Sequence, residues 1–455
     1  MLDRRMIREE TDRVRWALEV KGVDDVDLDA IIAVDEQWRA LKGRGDELRH
    51  RRNEISREIG ERKRAGEDAS DAIAQSASLK DEIEEVEARA EELEDELASA
   101  LLELPNIPHS SAPVGDDEDD NVEVRRWGFD ALDDLADPLI PHYELGERLD
   151  IIDEARGAKV SGSGYYYLKG EGAQLEFALI QFMLDLHREE HGYLDVFPPI
   201  PVSSDAMTGT GQLPKFAEDA YRLEGEDLWL CPTAEVPVTN MYGGDILLPE
   251  DLPIKHHAYT PNFRREAGEH GLATRGIVRV HQFNKVELVN FVEPEESYER
   301  LEGLIREAET VLQRLGLPYR VIEMCTGDMG FGQAKKYDLE VWAPADDMPN
   351  GPAVGGRWLE VSSASNFEAF QARRAGLRYR PAHHESAEYV HTLNASGTAI
   401  PRVMVALLEY NQNADGTVTV PEALRPYMNG RERIEGHRPV GEKSLGDGAD
   451  EAHTS

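Results

Sequence analysis

Apolar residues in the first hundred positions recur on alternating three- and four-residue steps, in two separate runs. This spacing is typical of the apolar seam of a coiled coil, in which long helices pack side by side. The segment between the runs, ERKRAGEDAS (residues 61–70), is polar and contains Gly66, so it suits a tight turn. The sequence therefore predicts a long antiparallel helical hairpin. The first run is Ile31, Val34, Trp38, Leu41, Leu48, Ile55 and Ile59, interrupted at Gly45 and Arg52, and the second is Leu79, Ile83, Val86, Ala90, Leu93, Leu97, Ala100 and Leu104.

Charge is distributed unevenly along this chain, which has 90 acidic and 50 basic residues and a net charge of −40. Only 12 of the basic residues are lysines. An acidic, lysine-poor composition resembles that of proteins from a salt-saturated cytoplasm, where the Debye length falls to about 3 Å or below and self-repulsion is screened. We therefore expect a halophilic protein that loses structure in dilute buffer. A surface of this kind repels nucleic acid except at a local basic patch.

Such a patch lies on the first helix of the hairpin, because residues 39–64 contain ten basic and five acidic side chains. Residues 81–96, on the return helix, contain ten acids and one base. Two interpretations stay open: the helices pair by charge, or the basic helix and the tip contact phosphates, which arginine can grip with two nitrogens. The candidates for phosphate contact are Arg44, Arg49, Arg51, Arg52 and Arg57.

Composition shifts divide the remaining chain. Residues 1–22 predict a short helix that belongs with the hairpin, in an arm of residues 1–104. Pro105, Pro108, Pro113 and Gly115, followed by five consecutive acids, predict a linker over residues 105–135. A second domain is expected at residues 136–428, and a disordered tail rich in Gly, Glu and Asp at residues 429–455.

The second domain is expected to be α+β. Residues 174–191 have the periodicity of an amphipathic helix, and YLDVFPP (residues 193–199) reads as a strand that the prolines end. Later strands are separated by loops rather than by regular helices, which predicts an antiparallel sheet flanked by helices. The sequence contains neither GxxxxGK[ST] nor a GxGxxG that follows a strand, so any nucleotide is bound by another kind of site.

The location and the redox state follow from what the sequence lacks. It contains no run of 18 apolar residues and begins without the apolar core of a signal peptide, so we expect a cytoplasmic protein without a membrane span. Cys231 and Cys325 form no CxxC pair, which predicts two reduced thiols.

Three segments of the second domain, together with the hairpin arm, resemble the seryl-tRNA synthetases, which are class II aminoacyl-tRNA synthetases. The helix and strand that end at Pro199 resemble class II motif 1, which builds the homodimer interface, and TGTGQLPKF (residues 208–216) is typical of the family. FRREAGEHGLATRGIVRVHQF (residues 263–283) resembles motif 2, two strands around a loop. NASGTAIPR (residues 394–402) resembles motif 3, with Ala395 and Pro401 where the family more often has glycine.

This resemblance implies an enzyme that activates serine with ATP and transfers it to tRNA(Ser), and to tRNA(Sec) where one exists. An amino acid carboxylate must then attack the α-phosphorus of ATP, so two anions must meet. The resemblance implies that Arg264 bridges the serine carboxylate and the α-phosphate and that Arg402 holds the γ-phosphate. These two arginines are the catalytic candidates. Gly397 and Ala399 are implied to let the motif 3 helix pack closely under ATP. The implied nucleotide pocket also contains Arg265, Glu266 for the adenine amino group, the backbone at Val280, and Phe283 for stacking on adenine.

The resemblance also implies how serine and magnesium are bound. TAEVP (residues 233–237) resembles the family's serine-binding strand, and HQFNKVEL contains the expected glutamate. The implied serine ligands are Thr233, Ala234, Glu235, Arg264, Glu287 and Ser396. EVSSASNFEAFQARR (residues 360–374) resembles a strand that contributes Glu360, Val361, Ser362 and Ser363 to ATP binding, with Glu360 and Ser363 as ligands of Mg²⁺.

A rare form of this enzyme binds serine through zinc with cysteine among the ligands, and Cys231 lies close to Thr233. The intact TAE and KVE segments resemble the common zinc-free form, so no zinc is expected. The partners implied are L-serine, the long variable arm of tRNA(Ser) and a second copy of the chain.

Two other functions compete with this one. A related ligase could charge a carrier protein or use another small amino acid, but such proteins lack the long arm. A nucleic-acid-binding coiled-coil protein with a decayed core would not need Arg264, Glu266 and Arg402 intact.

Overall fold

The computed structural model describes residues 1–129, 135, 139–266, 276–345, 356–382 and 386–436. The chain forms two compact units: Met1–Pro108 with Gly330–Gly332, and His109–Met329 with Gln333–Ser455. No helix within the described ranges is long and apolar enough to cross a membrane.

The first unit contains the predicted hairpin, whose helices α3 (Leu28–Ala65) and α4 (Ser70–Leu102) are joined by a short turn. Asp27 caps the start of α3 by accepting from the backbone N–H of Ala30, and Gly66 ends it in the left-handed conformation, with φ of 73°. The helix predicted at residues 1–22 is two helices, α1 (Arg4–Glu9) and α2 (Thr11–Val20), because the backbone leaves the helical conformation at Glu10.

The seam of the hairpin is apolar near the tip and mixed elsewhere. Leu48, Ile55, Ala72, Leu79 and Ile83 pack together as a buried cluster. Gly45 is buried opposite Val86, and an added Cβ would reach the Val86 Cγ1 atom only at 3.8 Å, so this position leaves the seam underfilled. Asp35 is also buried in α3, where Arg8 and Arg39 each approach its carboxylate to 3.1 Å. A buried carboxylate is tolerated because these two guanidinium groups compensate its charge.

The second unit contains both helices and strands. Its helices within the described residues are α5 (His142–Arg148), α6 (Glu154–Ser161), α7 (Gly170–Glu189), α8 (Ser204–Gly209), α9 (Glu235–Thr239), α10 (Ser297–Leu315), α11 (Phe370–Ala375) and α12 (Ile400–Tyr410). Its strands are β1 (Val122–Trp127), β2 (Ile152–Asp153), β3 (Tyr167–Leu168), β4 (Leu194–Asp195), β5 (Pro201–Ser203), β6 (Leu228–Leu230), β7 (Ile246–Leu247), β8 (Ile254–Phe263), β9 (Gln282–Val292), β10 (Tyr319–Glu323), β11 (Lys335–Ala343), β12 (Arg357–Asn366), β13 (Arg378–Tyr379), β14 (Glu388–Tyr389), β15 (His391–Ala399), β16 (Val418–Thr419) and β17 (Arg433–Ile434).

The second unit is built on an eight-stranded sheet with the order β1–β10–β11–β12–β15–β9–β8–β4. All neighbouring pairs in this sheet are antiparallel except β4 and β8 at one edge, so the predicted α+β class with an antiparallel sheet is confirmed.

Helices α7, α10 and α12 cover one side of this sheet and contribute to the main hydrophobic core. In α10 the buried residues fall on one helical face, which explains why this segment folds as an amphipathic helix. Gly316 ends it with φ of 71°. The buried residues of that face are Leu301, Leu304, Ile305, Ala308, Val311, Leu312 and Leu315.

Three predicted boundaries are wrong. The expected linker over residues 105–135 contains β1, which pairs with β10 and forms the outer strand of the sheet. The strand predicted from YLDVFPP is only the two residues of β4, because prolines follow it closely. The expected disordered tail begins too early, since β17 pairs with β16 and the buried Glu171 carboxylate accepts from the backbone N–H groups of Glu435 and Gly436, both at 2.8 Å. Residues 437–455 of that tail lie outside the described residues.

Candidate active site

The segment predicted as motif 2 leaves the sheet at the end of β8 and returns in β9. The two strands are antiparallel with Phe263 opposite Gln282, so the predicted pair of strands around a loop is confirmed. Residues 267–275 of that loop lie outside the described residues. At its start, the backbone N–H of Arg264 donates to the His281 carbonyl at 3.0 Å, and that of Arg265 donates to the Asp219 carbonyl at 2.8 Å. These bonds hold the loop base in place.

Arg264 points across the base of the loop. Its Nε donates to the Pro232 carbonyl at 3.3 Å, and its guanidinium carbon lies 5.2 Å from the centre of the Phe283 ring. The guanidinium is exposed, so its remaining donors are available to an anion. Arg264 and Phe283 therefore form one wall of a pocket that offers a cation beside an aromatic face.

The sequence did not identify Arg279, which forms an ion pair with Glu266 at 2.6 Å. Glu266 has φ of 48°, a conformation that non-glycine residues rarely adopt. The ion pair crosses the motif 2 loop and joins its two ends, which accounts for how the carboxylate is held. The local signal for this residue was its position in the GIVRVHQF run.

A buried histidine shapes the returning half of the same loop. His142 Nδ1 lies 2.9 Å from the Glu409 carboxylate, and both side chains are fully buried. The backbone N–H of Ile277 donates to His142 Nε2 at 3.4 Å, which identifies Nδ1 as the protonated nitrogen. Gly276 has φ of 70°, and a Cβ there would lie 2.0 Å from His142 Nε2. Only glycine fits this turn.

Arg402 approaches from the opposite side of the pocket. Pro401 is the second residue of α12, in the first helical turn, where proline is tolerated. Arg402 Nη1 donates to the Glu360 carbonyl at 2.8 Å and Nε donates to the Val278 carbonyl at 3.1 Å. The Glu360 carboxylate lies 3.7 Å away. Desolvation acts to raise the pKa of Glu360, but Lys336, Arg402 and other cations outweigh it and lower the pKa.

Strand β12 carries the predicted magnesium ligands beside a second carboxylate. Ser363 lies opposite Asp338 of β11 in the antiparallel register. Burial raises the pKa of Asp338 to about 7, the Glu360 carboxylate adds to that effect, and Lys336 at 3.2 Å opposes it. Val361 is buried beneath the pocket, and the Ser362 hydroxyl turns away to donate to the Ser396 carbonyl at 2.5 Å.

Two buried glutamates face each other at the inner end of the site. Asn394 Nδ2 donates to both Glu235 and Glu287 at 2.9 Å. Lys285 forms an ion pair with Glu287 at 2.6 Å, and the Ser396 hydroxyl donates to the same carboxylate at 3.4 Å. Burial and the neighbouring Glu287 charge together raise the pKa of Glu235 to about 7, against the opposing effects of Gln371, Lys285 and Arg264. Lys285 and Asn394 were not predicted, although both lie inside the quoted motifs.

Two local geometries were predicted wrongly. TAEVP is not a strand: Thr233 turns the chain, and Glu235 begins α9, in whose first turn Pro237 is tolerated. Thr233 and Ala234 are buried beside it. Gly397 and Ala399 lie in β15 and not in a helix. Gly397 is needed there because a Cβ would lie 3.1 Å from the His187 ring and 3.3 Å from Val286.

Several of the predicted nucleotide and serine residues line one cavity, whereas Thr233, Glu235 and Glu287 lie outside its lining. It has a volume of about 180 Å³ and four basic side chains in its lining, against two acidic ones. Cys231 is buried nearby, and burial raises the pKa of its thiol to about 11. Within the described ranges, no group of three or more His, Cys, Asp and Glu side chains is arranged to hold a metal ion. The lining residues are Arg264, Glu266, Ile277, Val278, Arg279, Val280, Phe283, Lys285, Glu360, Val361, Ser396, Ala399, Pro401 and Arg402.

The five arginines predicted on the hairpin differ in their surroundings. Arg44 is paired with Glu82 at 2.8 Å, and Arg49 is paired with Asp46 at 2.7 Å and with Glu87. Arg51, Arg52 and Arg57 form no ion pair with any residue in the described part of the chain. Pairing between the helices by charge therefore applies to Arg44 and Arg49, whereas Arg51, Arg52 and Arg57 keep their guanidinium groups available for phosphate contact.

The antiparallel sheet, the motif 2 strand pair and the cavity between Arg264 and Arg402 define a class II aminoacyl-tRNA synthetase core. Comparison with family models agrees: residues 218–411 match the class II core domain of the G, H, P, S and T synthetases, and residues 1–108 match the seryl-tRNA synthetase N-terminal domain.

Comparison with individual proteins identifies the family within the class II synthetases. The chain is 65% identical to the serine–tRNA ligase of the halophilic archaeon Haloquadratum walsbyi, over 98% of this chain and 99% of that protein. It is 52% identical to the serine–tRNA ligase of Carboxydothermus hydrogenoformans, over 95% and 99%. A crystal structure of the seryl-tRNA synthetase from Pyrococcus horikoshii, complexed with ATP, is 41% identical with a TM-score of 0.88, over 96% and 100%. The chain belongs to the seryl-tRNA synthetase family and is an ATP-dependent serine–tRNA ligase.

Proposed function

We propose that this ligase works in two steps. Serine and ATP first react to give seryl-adenylate and pyrophosphate, and the seryl group then passes to the 3′-terminal hydroxyl of tRNA(Ser), or of tRNA(Sec) in an organism that has one. The observation that carries this proposal is the cavity that brings Arg264 and Arg402 together with Lys285 and Ser396, both of which contact the buried Glu287 carboxylate.

The nucleotide occupies the outer part of the cavity. Phe283 stacks on adenine, Glu266 accepts from the adenine amino group, and the backbone at Val280 lines the ring. Arg264 lies between the serine carboxylate and the α-phosphate, where charge develops in the transition state. Arg402, already held by two backbone carbonyls, orients its guanidinium toward the γ-phosphate. Arg265 follows Arg264 and is exposed, so it reaches the outer phosphates.

Magnesium fits the donor set on β12. The Glu360 carboxylate is exposed and the Ser363 hydroxyl is partly exposed, and hard oxygen donors of this kind suit Mg²⁺ when phosphates and water complete the coordination. When bound, Mg²⁺ neutralises phosphate charge. The residues of this chain then position the reactants, and no side chain acts as a general base, so catalysis rests on orientation and charge stabilisation.

Serine is selected by the buried polar end of the cavity. Glu287 is 1% exposed and accepts from Lys285, Asn394 and Ser396, which leaves a charged acceptor for the ammonium or the hydroxyl of the substrate. Alanine would leave this group unpaired, and a site that hydrogen-bonds a hydroxyl rejects the analogue without it by about 10⁴ or more. The Cys231 thiol is buried and donates to the Pro261 carbonyl at 3.7 Å, so we propose that it is not a metal ligand and that the pocket is zinc-free.

We propose two macromolecular partners, one for the arm and one for an exposed apolar surface. Arg51, Arg52 and Arg57 of the hairpin contact phosphates of the long variable arm of tRNA(Ser). A second copy of the chain covers exposed apolar side chains near motif 1, among them Phe177 (68% exposed), Leu194 (63%) and Phe197 (88%). Exposed apolar groups of this size mark an interaction surface. We place the enzyme in the cytoplasm, where tRNA is charged.

Serine-dependent exchange between ATP and pyrophosphate tests the activation step. The assay is run in high-potassium buffer with alanine and threonine as controls. Exchange with serine alone is expected. Exchange with alanine at a similar rate would refute the assignment of Glu287, and absence of exchange with serine would refute the proposed first step.

A further inference from the structure

The run TGTGQLPKF (residues 208–216) and helix α11 meet directly behind the serine pocket. Gln371, on α11, is 1% exposed. Its Nε2 atom donates to the Glu235 carboxylate at 2.5 Å and to the Thr210 carbonyl at 3.3 Å. The Thr392 hydroxyl donates to Gln371 Oε1 at 2.7 Å. All hydrogen-bonding atoms of this amide are therefore engaged.

The orientation of the amide follows from one of these partners. The carbonyl of Thr210 can only accept a hydrogen bond, so the nitrogen of Gln371, and not its oxygen, must face it. The same nitrogen then faces Glu235. A reversed amide would place its oxygen against both the Glu235 carboxylate and the Thr210 carbonyl and leave both acceptors without this donor, which is costly in a buried site.

Glu235 needs this donor because its surroundings disfavour a charge. Burial and the Glu287 carboxylate raise its pKa to about 7, while the Gln371 hydrogen bond, Lys285 and Arg264 act in the opposite direction. A carboxylate that is bound by donors on both oxygens is also fixed in orientation, here by Gln371 on Oε1 and by Asn394 on Oε2.

We propose that Gln371 is a positioning residue for serine, which holds the Glu235 carboxylate charged and aimed at the substrate ammonium from outside the pocket. The TGTG turn supplies the fixed carbonyl that sets the direction of the Gln371 amide. This inference rests on the proposed serine pocket and adds to it a residue that does not itself contact the substrate.

The test compares three variants of the full chain in high-potassium buffer. Gln371→Met keeps the size but removes the donor, and Thr392→Val removes only the bond to Gln371 Oε1. Arg374→Met is the control, because Arg374 donates to the Thr208 and Leu213 carbonyls of the same turn without touching Glu235. This control variant shows whether an effect comes from lost contact between α11 and the TGTG turn or from the lost hydrogen bond to Glu235.

We expect Gln371→Met to raise the serine KM in exchange by about tenfold to a hundredfold, the value of a hydrogen bond to a charged group, with the ATP KM changed less than about twofold. The serine KM of this variant should fall as pH rises through 7, because the loss of the donor raises the pKa of Glu235 further and the carboxylate must ionise to bind an ammonium. Thr392→Val should raise the serine KM by a smaller factor, and it serves as the decisive variant if Gln371→Met fails to fold by circular dichroism. Arg374→Met should leave the serine KM unchanged.

Calorimetric binding of serine separates the two ways in which these expectations can fail. If the unaltered chain binds serine and Gln371→Met binds it equally well at every pH, the role of Gln371 is refuted while the pocket stands. If Arg374→Met raises the serine KM as much as Gln371→Met, the effect is structural and the inference is also refuted. If the unaltered chain binds no serine, the proposed pocket itself is wrong, and the inference falls with it.

Discussion

The clearest prediction from the arm concerns which arginines bind tRNA. Arg51 and Arg57 are exposed and form no ion pair within the described residues, whereas Arg44 and Arg49 are already bound by acidic side chains of α3 and α4. Replacing Arg51 and Arg57 by alanine should therefore weaken tRNA binding. Replacing Arg44 and Arg49 changes the net charge by the same amount and is the matched control.

The size of the expected loss in tRNA affinity follows from the solvent exposure of Arg51 and Arg57. An exposed ion pair contributes up to about 1 kcal/mol, so two lost phosphate contacts cost about 2 kcal/mol, which raises the KM for tRNA about 30-fold. In molar salt the Debye length is about 3 Å, so only groups in direct contact count. Because the control arginines have nitrogens occupied by carboxylates, their loss should raise the same KM less than about threefold.

Aminoacylation with varied tRNA, in parallel with serine-dependent exchange, measures both effects. Exchange should be unchanged in both double variants, because neither pair lines the cavity. The dependence of log affinity on log salt should flatten by about 0.9 for each lost phosphate contact in the Arg51 and Arg57 variant. Equal losses in the two double variants would show that overall charge, rather than free guanidinium groups, binds the tRNA, and would refute the reasoning.

Three further predictions concern the active site and the arm. Arg264→Ala should abolish exchange, because the loss of one donor to a transition state typically lowers the rate by about 10²–10³ and Arg264 is proposed to contact both the serine carboxylate and the α-phosphate. Near-normal exchange would contradict this role. Gly276→Ala should raise the ATP KM and lower the melting temperature, because the added Cβ would lie 2.0 Å from His142 in a left-handed turn. An unchanged ATP KM would show that this turn does not shape the nucleotide pocket. Gly45→Ala should stabilise the arm by about 1 kcal/mol against thermal unfolding, because alanine has a higher helix propensity than glycine and the added Cβ would lie 3.8 Å from Val86 Cγ1, without a clash. A loss of stability would mean that the seam has no space for the added methyl group.

The sequence predicted the hairpin and the cavity because both leave local signals. The seam repeats along α3 and α4, and Arg264, Phe283 and Arg402 lie in short motifs. Gln371 was missed because its role depends on a contact between distant parts of the chain. Glu235 and Gln371 are 136 residues apart, and no periodicity or spacing relates them. The same reason accounts for β1, whose pairing with β10 decides its conformation although its own segment follows a run of acids.

The strongly acidic composition and the cationic cavity are two parts of one electrostatic arrangement. A net charge of −40 repels ATP and tRNA over long distances in dilute solution. In molar salt this repulsion is screened beyond about 3 Å, while Arg264, Arg279, Lys285 and Arg402 act on a bound nucleotide from contact distance, where screening is weak. The chain can therefore keep an acidic surface only because its anionic substrates meet basic groups in a partly enclosed pocket. Dilution of salt should then slow the long-range approach of ATP and tRNA and also weaken the fold, since both depend on the same screening.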